Sequence, residues 1–129
     1  MLQAKTYKTI LDQGSVKIPP ALRLLLRGAD HLYITHHMIR ERGLLLFMPD
    51  EWKNFETDLR NRHKWDRREQ LLANFYVGGV HKVSVDRQGR IQIPERLQRF
   101  FPNPVITLLY GVDLRLLMSL SKAASTGNN

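Results

Sequence analysis

One stretch of the chain alternates apolar and polar residues on both sides of a turn. It reads VSVDRQGRIQI and spans residues 83 to 93. An apolar residue at every second position is typical of a strand with one buried face. Asp86 and Gly89 lie between the two alternating runs, where Asp can bond to its own backbone and Gly can adopt a positive φ. The pattern therefore predicts a β-hairpin over residues 82 to 93.

A short helix is predicted directly after this hairpin. Pro94 has no N–H for a strand ladder and suits the first turn of a helix, so the strand ends there. The segment ERLQRFF that follows allows one or two helical turns, with Leu97 and Phe101 on one side. Pro102 and Pro104 end the helix.

The same plan occurs earlier in the chain. The stretch LDQGSVKIPPALR, residues 11 to 23, also has a glycine turn, alternating apolar residues, a proline and a leucine. Six pairs of matching residues are separated by 75 positions: Gly14, Val16, Ile18, Pro19, Leu22 and Leu26 correspond to Gly89, Ile91, Ile93, Pro94, Leu97 and Phe101. The repeat predicts one local structure formed twice.

Each copy continues into a second candidate hairpin. The predicted strands are residues 32–36 and 44–48 in the first half, and residues 105–109 and 114–118 in the second. Each half is therefore predicted as two strands, a short helix and two strands. A unit this small cannot close a core alone. We expect the halves to pack together as one pseudo-twofold unit.

The segment between the halves has helical periodicity. Its two apolar stripes are Trp52, Phe55 and Leu59, and then Leu71, Leu72, Phe75 and Tyr76. Asp66 and Glu69 form a capping-box-like start for the second helix, and Gly78 with Gly79 ends it. We expect two helices with a break near residues 61–65, and their aromatic residues in the core or at a subunit interface.

These patterns predict an α+β fold that is mainly β. They divide the chain into a first half at 1–49, a helical spacer at 50–79, a second half at 80–122 and a flexible tail at 123–129.

The net charge of +8 is unevenly distributed along the 129 residues. Residues 1–49 and residues 70–129 each hold seven Lys or Arg against three Asp or Glu, whereas residues 50–69 hold six of each. A basic surface attracts polyanions such as nucleic acid. Charge alone leaves a basic protein without a nucleic-acid partner as an equal alternative.

Signatures of other classes are lacking in the sequence. There is no cysteine, and no Gly-rich phosphate loop, nucleophile elbow or H-E-x-x-H motif. His36 and His37 are adjacent on a predicted strand, so they point to opposite faces and do not indicate a metal site. The longest apolar runs are far shorter than the ~18 residues of a membrane span. We expect no enzyme, metal, cofactor, small-molecule substrate or membrane association.

The residues together resemble the MraZ family, within the AbrB-like group of swapped-hairpin β-barrels. The similarity covers roughly residues 5 to 120. It depends on Asp86 to Arg90 with Ile93-Pro94, which matches the family's D-x-x-G-R…I-P hairpin, and on the degenerate first copy at residues 12–19. It also depends on Leu44-Leu45-Leu46-Phe47 leading into Pro49-Asp50-Glu51-Trp52, and on the stretch from Arg67-Arg68 to Gly78.

The resemblance implies a sequence-specific DNA-binding transcriptional regulator of bacterial division and cell-wall genes. Family members form rings of many subunits and bind short tandem repeats in promoter DNA. A cytoplasmic, nucleoid-associated homo-oligomer with double-stranded DNA as its partner is therefore expected. The arginine that ends the family's D-x-x-x-R motif is the expected DNA contact, and Arg90 holds that position here.

Nine residues form the predicted site. The candidates for DNA contact are Arg90, Arg87, Lys82, Lys8 and Lys17, and the turn-shaping residues are Asp86, Gly89, Asp12 and Gly14. Arg90 can fork onto a phosphate or onto guanine in the major groove. Arg87 and Lys82 are interpreted as phosphate contacts rather than base readers.

The first copy departs from the family pattern. One residue is missing between Asp12 and Gly14, and Ser15 stands where an arginine is expected. A serine has neither the charge nor the reach of a guanidinium, so the DNA-contact chemistry is intact only once. Lys8 or Lys17 can compensate only as point charges.

Two alternatives to a regulator stay open at this point. One is an oligomeric scaffold of the same fold with weakened or non-specific DNA binding. The other is an antitoxin of the same fold group, although such proteins usually carry a single hairpin copy.

Overall fold

The structure is a computed structural model that describes residues 5–36, 43–62, 66–98, 105–110 and 116–120. Its strands are β1 (Lys5–Asp12), β2 (Ser15–Lys17), β3 (His31–His36), β4 (Gly43–Phe47), β5 (His81–Ser84), β6 (Arg90–Gln92), β7 (Val105–Tyr110) and β8 (Leu116–Leu120). Its helices are α1 (Pro20–Arg23), a 3-10 turn (Leu24–Leu26), α2 (Pro49–Arg62), α3 (Arg67–Gly78) and α4 (Glu95–Gln98). The α+β class predicted from the sequence is confirmed.

The strands of the two halves interleave in one antiparallel series. Their order is β5-β3-β4-β8-β7-β1-β2-β6. Strands β1 to β4 come from the first half and β5 to β8 from the second, so every strand of one half is close to strands of the other. Neither half has its own sheet, and the halves share their hydrogen bonds as well as their core.

The pairing follows a pseudo-twofold relation between the halves. Strand β2 pairs with its own counterpart β6, and β4 pairs with β8. The pairs β1–β7 and β3–β5 change places when the halves are exchanged. At the centre of the β2–β6 ladder, Val16 lies opposite Ile91, the residue that matches it 75 positions later. The expected pseudo-twofold arrangement is therefore present in the strand register.

The main core is built from the apolar positions of both repeat copies. Its buried residues are Val16, Ile18, Leu22, Leu26, Leu32, Ile34, Leu44, Leu46, Val83, Ile91, Ile93 and Leu97. Full burial of a side chain of this size is worth about 1.5–3 kcal/mol. The alternation seen in the sequence therefore points one face of each strand into a single interior that both halves need.

The short helices begin after prolines, as predicted. Pro19 precedes α1 and Pro20 occupies its first turn, while Pro94 precedes α4. Leu22 and Leu97, the matching residues of the two helices, are each 1% exposed. These helices therefore close the core beneath the hairpins. Phe101 and the predicted helix end at 102–104 lie outside the described residues.

The spacer forms the two expected helices. The Asp66 side chain accepts a hydrogen bond from the Glu69 N–H at 2.8 Å, which caps α3. Trp52 of α2 is 5% exposed and packs edge-on against Phe47, at 5.3 Å between ring centroids. The second stripe is only partly covered, since Leu71 is 62% exposed.

The swapped-hairpin barrel is not confirmed. The two ends of the strand order, β5 and β6, are linked by an isolated bridge between Val85 and Ile91 rather than by a full ladder. The described strands do not form a closed barrel. The division at residues 49, 79 and 122 stays a prediction. In the described ranges, no helix has the length and apolar character needed to cross a membrane.

Candidate nucleic-acid interface

The turn of the second hairpin is held by the carboxylate of Asp86. Its Oδ1 accepts hydrogen bonds from the backbone N–H of Gln88 at 2.8 Å and of Arg90 at 2.9 Å. These N–H groups, above all that of Arg90, hold the pKa of Asp86 below its ordinary value of 3.8, and the guanidinium groups of Arg90 and Arg23 add to the effect. Gly89 closes the turn at a φ of 79°. The backbone that carries Arg90 is therefore fixed.

Arg90 and Lys17 lie directly opposite each other on the exposed face of the β2–β6 ladder. Their Cα atoms are register partners, and both side chains are exposed. Partners of this kind have Cβ atoms about 5 Å apart. The Arg90 guanidinium also donates to the side-chain oxygen of Gln88. The strand pairing thus brings two of the predicted DNA-contact residues, one from each half, to the same place.

Arg23 is a further cation at this turn, and it comes from the first half. Its guanidinium donates to the backbone oxygen of Arg87 at 2.9 Å. Arg23 also covers Gly89, because a Cβ added at Gly89 would lie 2.6 Å from Arg23 Nε. A side chain larger than hydrogen at position 89 would therefore displace the arginine. The exposed Arg87 completes the group.

We call the residues Lys17, Arg23, Arg87 and Arg90 the basic end of the β2–β6 ladder. The opposite end surrounds the first glycine turn, where Gly14 has a φ of 80°. Ser15 and Gln92 are register partners there. The side chain of Gln98, from α4, covers Gly14 and donates to the backbone oxygen of Ile93 at 2.9 Å. We call Ser15, Gln92 and Gln98 the neutral end.

Each turn is tied to the opposite half by a backbone hydrogen bond. The N–H of Ile18 donates to the oxygen of Gly89, and the N–H of Ile93 donates to the oxygen of Gly14, both at 2.8 Å. Because the two bonds are exchanged by the pseudo-twofold relation, the two glycines are bound to the opposite half in the same way, although the first turn is one residue shorter and has Gln13 at a φ of 52°. The two ends of the ladder differ in side chains.

The remaining predicted contact residues lie on other strands. Lys82 is in β5, opposite Tyr33. His31 lowers the pKa of Asp30 through its hydrogen bond, and the charge of Lys82 adds a smaller effect. Since Lys82 is four residues before Asp86 in an extended segment, it lies about 13 Å from the turn. Lys8 is exposed on β1, where its register partner is Thr107.

Sequence reasoning therefore located most of the basic end and missed Arg23. Arg90, Arg87 and Lys17 converge, whereas Lys82 lies apart from them. The repeat does relate Arg23 to Gln98, because Arg23 lies four residues after Pro19 just as Gln98 lies four residues after Pro94. Only the strand pairing shows that a residue of the first repeat covers the turn of the second.

The chemistry of this surface is that of anion binding. Guanidinium and ammonium groups are donors without acceptor capacity and match phosphate oxygens. In the described parts of the chain, no group of three or more His, Cys, Asp or Glu residues is placed to hold a metal ion. The fold and surface define a class of protein with two interleaved hairpin repeats and an exposed basic turn.

Known proteins identify the family within this class. No family model matches the chain. Three curated relatives carry the name "Transcriptional regulator MraZ": one from Acetivibrio thermocellus, 32% identical over 85% of this chain and 75% of its own length; one from Caldanaerobacter subterraneus, 28% identical over 90% and 78%; and one from Stenotrophomonas maltophilia, 30% identical over 73% and 65%. The chain belongs to the MraZ family.

Proposed function

We propose that this protein is a DNA-binding regulator of transcription without catalytic activity. One observation carries the proposal. Arg90 is exposed on a turn whose backbone is held by Asp86, and it lies opposite Lys17 from the other half. A cation on a fixed turn loses little conformational freedom when it binds a phosphate or base edge. The relatives' shared name, transcriptional regulator, supports the same function.

The finer proposal concerns the target and the assembly. We propose that the protein recognises tandem repeats in the promoter of division and cell-wall genes, with Arg90 as the base-reading residue. It does so as a ring-shaped homo-oligomer in the cytoplasm, associated with the nucleoid. We further propose that the interleaved strands complete a swapped-hairpin barrel, for which the bridge between Val85 and Ile91 is the supporting contact.

The direct test is a binding experiment with promoter DNA. The probes are a duplex from the chain's own upstream promoter region and a scrambled duplex of the same length, measured over a salt series. A regulator binds its own promoter more tightly and loses affinity steeply as salt increases. Equal, weak binding to both duplexes would contradict the proposal.

Arg90→Ala tests the base-reading role. We expect the preference for promoter over scrambled DNA to fall roughly 5- to 150-fold, because a bidentate arginine–guanine contact is worth about 1–3 kcal/mol. The matched control is Arg68→Ala, which removes an exposed arginine on α3. Oligomer size, followed by light scattering, should stay unchanged in both variants. A preference that survives Arg90→Ala would exclude Arg90 as the reader.

A second candidate function is an oligomeric scaffold with non-specific DNA binding. The observation that favours it is Ser15, which occupies the position of the first copy that matches Arg90. A scaffold would keep the wild-type oligomer size and would not distinguish the two duplexes. The same binding experiment therefore separates the two functions.

A further inference from the structure

The two ends of the β2–β6 ladder are related by the repeat, yet three matched positions differ in charge. From Gly14 onward, residues of the first copy correspond to residues 75 positions later in the second. Arg90 corresponds to Ser15, Lys17 to Gln92, and Arg23 to Gln98. In every pair the charged residue lies at the basic end and the uncharged residue at the neutral end. Two of the three cations belong to the first half and one to the second. The charge difference is therefore between the two ends of the ladder and not between the two halves of the chain.

The cations meet at one place although they come from both halves. The register places Lys17 opposite Arg90, and Arg23 reaches across to the backbone oxygen of Arg87. At the neutral end, the same geometry places Ser15 opposite Gln92, with Gln98 above Gly14. The fold thus places positive charges from both repeats at the basic end of the ladder.

The concentration of charge has a cost that a bound anion removes. Like charges directly opposite each other on neighbouring strands destabilise a sheet. Lys17 and Arg90 are such a pair, and Arg23 and Arg87 lie beside them, whereas Asp86 is the acid described at this turn. A polyanion between these cations turns the repulsion into attraction. At the neutral end, Ser15 and Gln92 carry no charge, so there is no such repulsion for an anion to offset.

We propose that each subunit binds the DNA backbone through the basic end alone, with Arg23 as an additional phosphate-binding residue contributed by the first half. The proposal rests on the proposed DNA-binding function. The first half therefore acts on DNA at the second turn, through Lys17 and Arg23, and its own turn at Gly14 makes no phosphate contact. The guanidinium of Arg23 has five N–H donors, and the bond to Arg87 uses one of them.

A charge exchange tests the proposal without changing the net charge. The double variant Arg23→Gln/Gln98→Arg moves one positive charge from the basic end to the neutral end. Affinity for the promoter duplex and for a scrambled duplex is measured over a salt series, beside the two single variants. We expect Arg23→Gln to reduce the slope of log K against log salt by about one unit and to lower affinity roughly tenfold at 0.1 M salt on both duplexes.

The exchanged variant separates position from total charge. We expect it to bind as weakly as Arg23→Gln, and we expect Gln98→Arg alone to bind like the wild type. Wild-type affinity and slope in the exchanged variant would overturn the proposal, because net charge rather than the basic end would then determine binding. A gain in affinity and slope in Gln98→Arg would also overturn it.

A second exchange guards against a folding defect. Lys17→Gln/Gln92→Lys makes the same transfer at two exposed strand positions. Thermal unfolding of each variant shows whether it is folded, and both exchanges are expected to weaken binding alike. If the wild type shows no preference for its promoter, the proposed regulatory function fails. The salt slopes on scrambled duplex still decide whether the basic end carries the binding.

Discussion

The two glycines of the turns at the ends of the β2–β6 ladder have nearly the same φ, but the side chains around them differ. Gly14 and Gly89 have φ values of 80° and 79°, and each accepts a 2.8 Å hydrogen bond from an isoleucine of the other half. One is covered by the side chain of Gln98 and the other by that of Arg23. The conformation of the glycine and its bond to the other half are the same at both ends, and the surface charge is not.

The difference shows which parts of the repeat the fold requires. A shared core needs an apolar residue at each inward position and a glycine at the turn position where φ is 79–80°, and both copies have them. The outward positions carry no such demand, and the ladder forms with Ser15 at one end and with Arg90, despite its repulsion from Lys17, at the other. The charges at the basic end therefore point to a binding role rather than to a need of the fold.

The largest expected effect comes from a change in the core, which both ends of the ladder share. Ile91 is 1% exposed at the centre of the ladder, opposite Val16. Ile91→Ala should lower the free energy of unfolding by about 2–5 kcal/mol, because it opens a cavity in the core of both halves. Urea unfolding measures the loss. Arg90→Ala, one residue away on the exposed face, is the control and should change stability little.

A smaller effect is expected at the glycines, and it distinguishes the two ends. Gly89→Ala and Gly14→Ala should each cost about 1–2 kcal/mol, because an L-residue is strained at positive φ. Gly89→Ala should additionally weaken DNA binding, since the new Cβ would meet Arg23 at 2.6 Å. Gly14→Ala displaces only glutamine side chains. Equal DNA binding by the two variants, measured while both are folded, would contradict the difference between the ends.

The smallest effect concerns the pH dependence of the second turn. The pKa of Asp86 is lowered in the folded protein because the N–H of Arg90, and then that of Gln88, donate to its carboxylate. The stability that comes from this depressed pKa is present above the ordinary, unfolded value of 3.8 and is lost as pH falls through the lower folded value. Amide signals of Gln88 and Arg90, followed by NMR, should shift in that acidic range.

Two variants sharpen this measurement. Asp86→Asn should abolish the acidic transition at Gln88 and Arg90, because no carboxylate is left to protonate. Asp12→Asn, at the other turn, should leave that transition in place. A transition that persists in Asp86→Asn would mean that another group controls the turn.

Local patterns predicted the elements well because their causes are local. Pro19 and Pro94 end strands through their missing N–H, Asp66 caps α3 through its own carboxylate, and the period-two pattern shows which strand face is buried. The apolar pattern of the spacer predicted its helices but not which of their apolar residues are buried. Leu71 belongs to an apolar stripe and is nevertheless 62% exposed, since helical spacing does not show what packs against a helix.

The sequence by itself determined the repeat, its two turns, the apolar face of each strand and the position of Arg90, because these follow from the residue types and their spacing. The tertiary structure alone decided which charges are neighbours. Lys17 and Arg90 are 73 positions apart, and Arg23 and Arg87 are 64 apart. They meet because β2 pairs with β6 across the halves, and that register depends on a core to which both halves contribute.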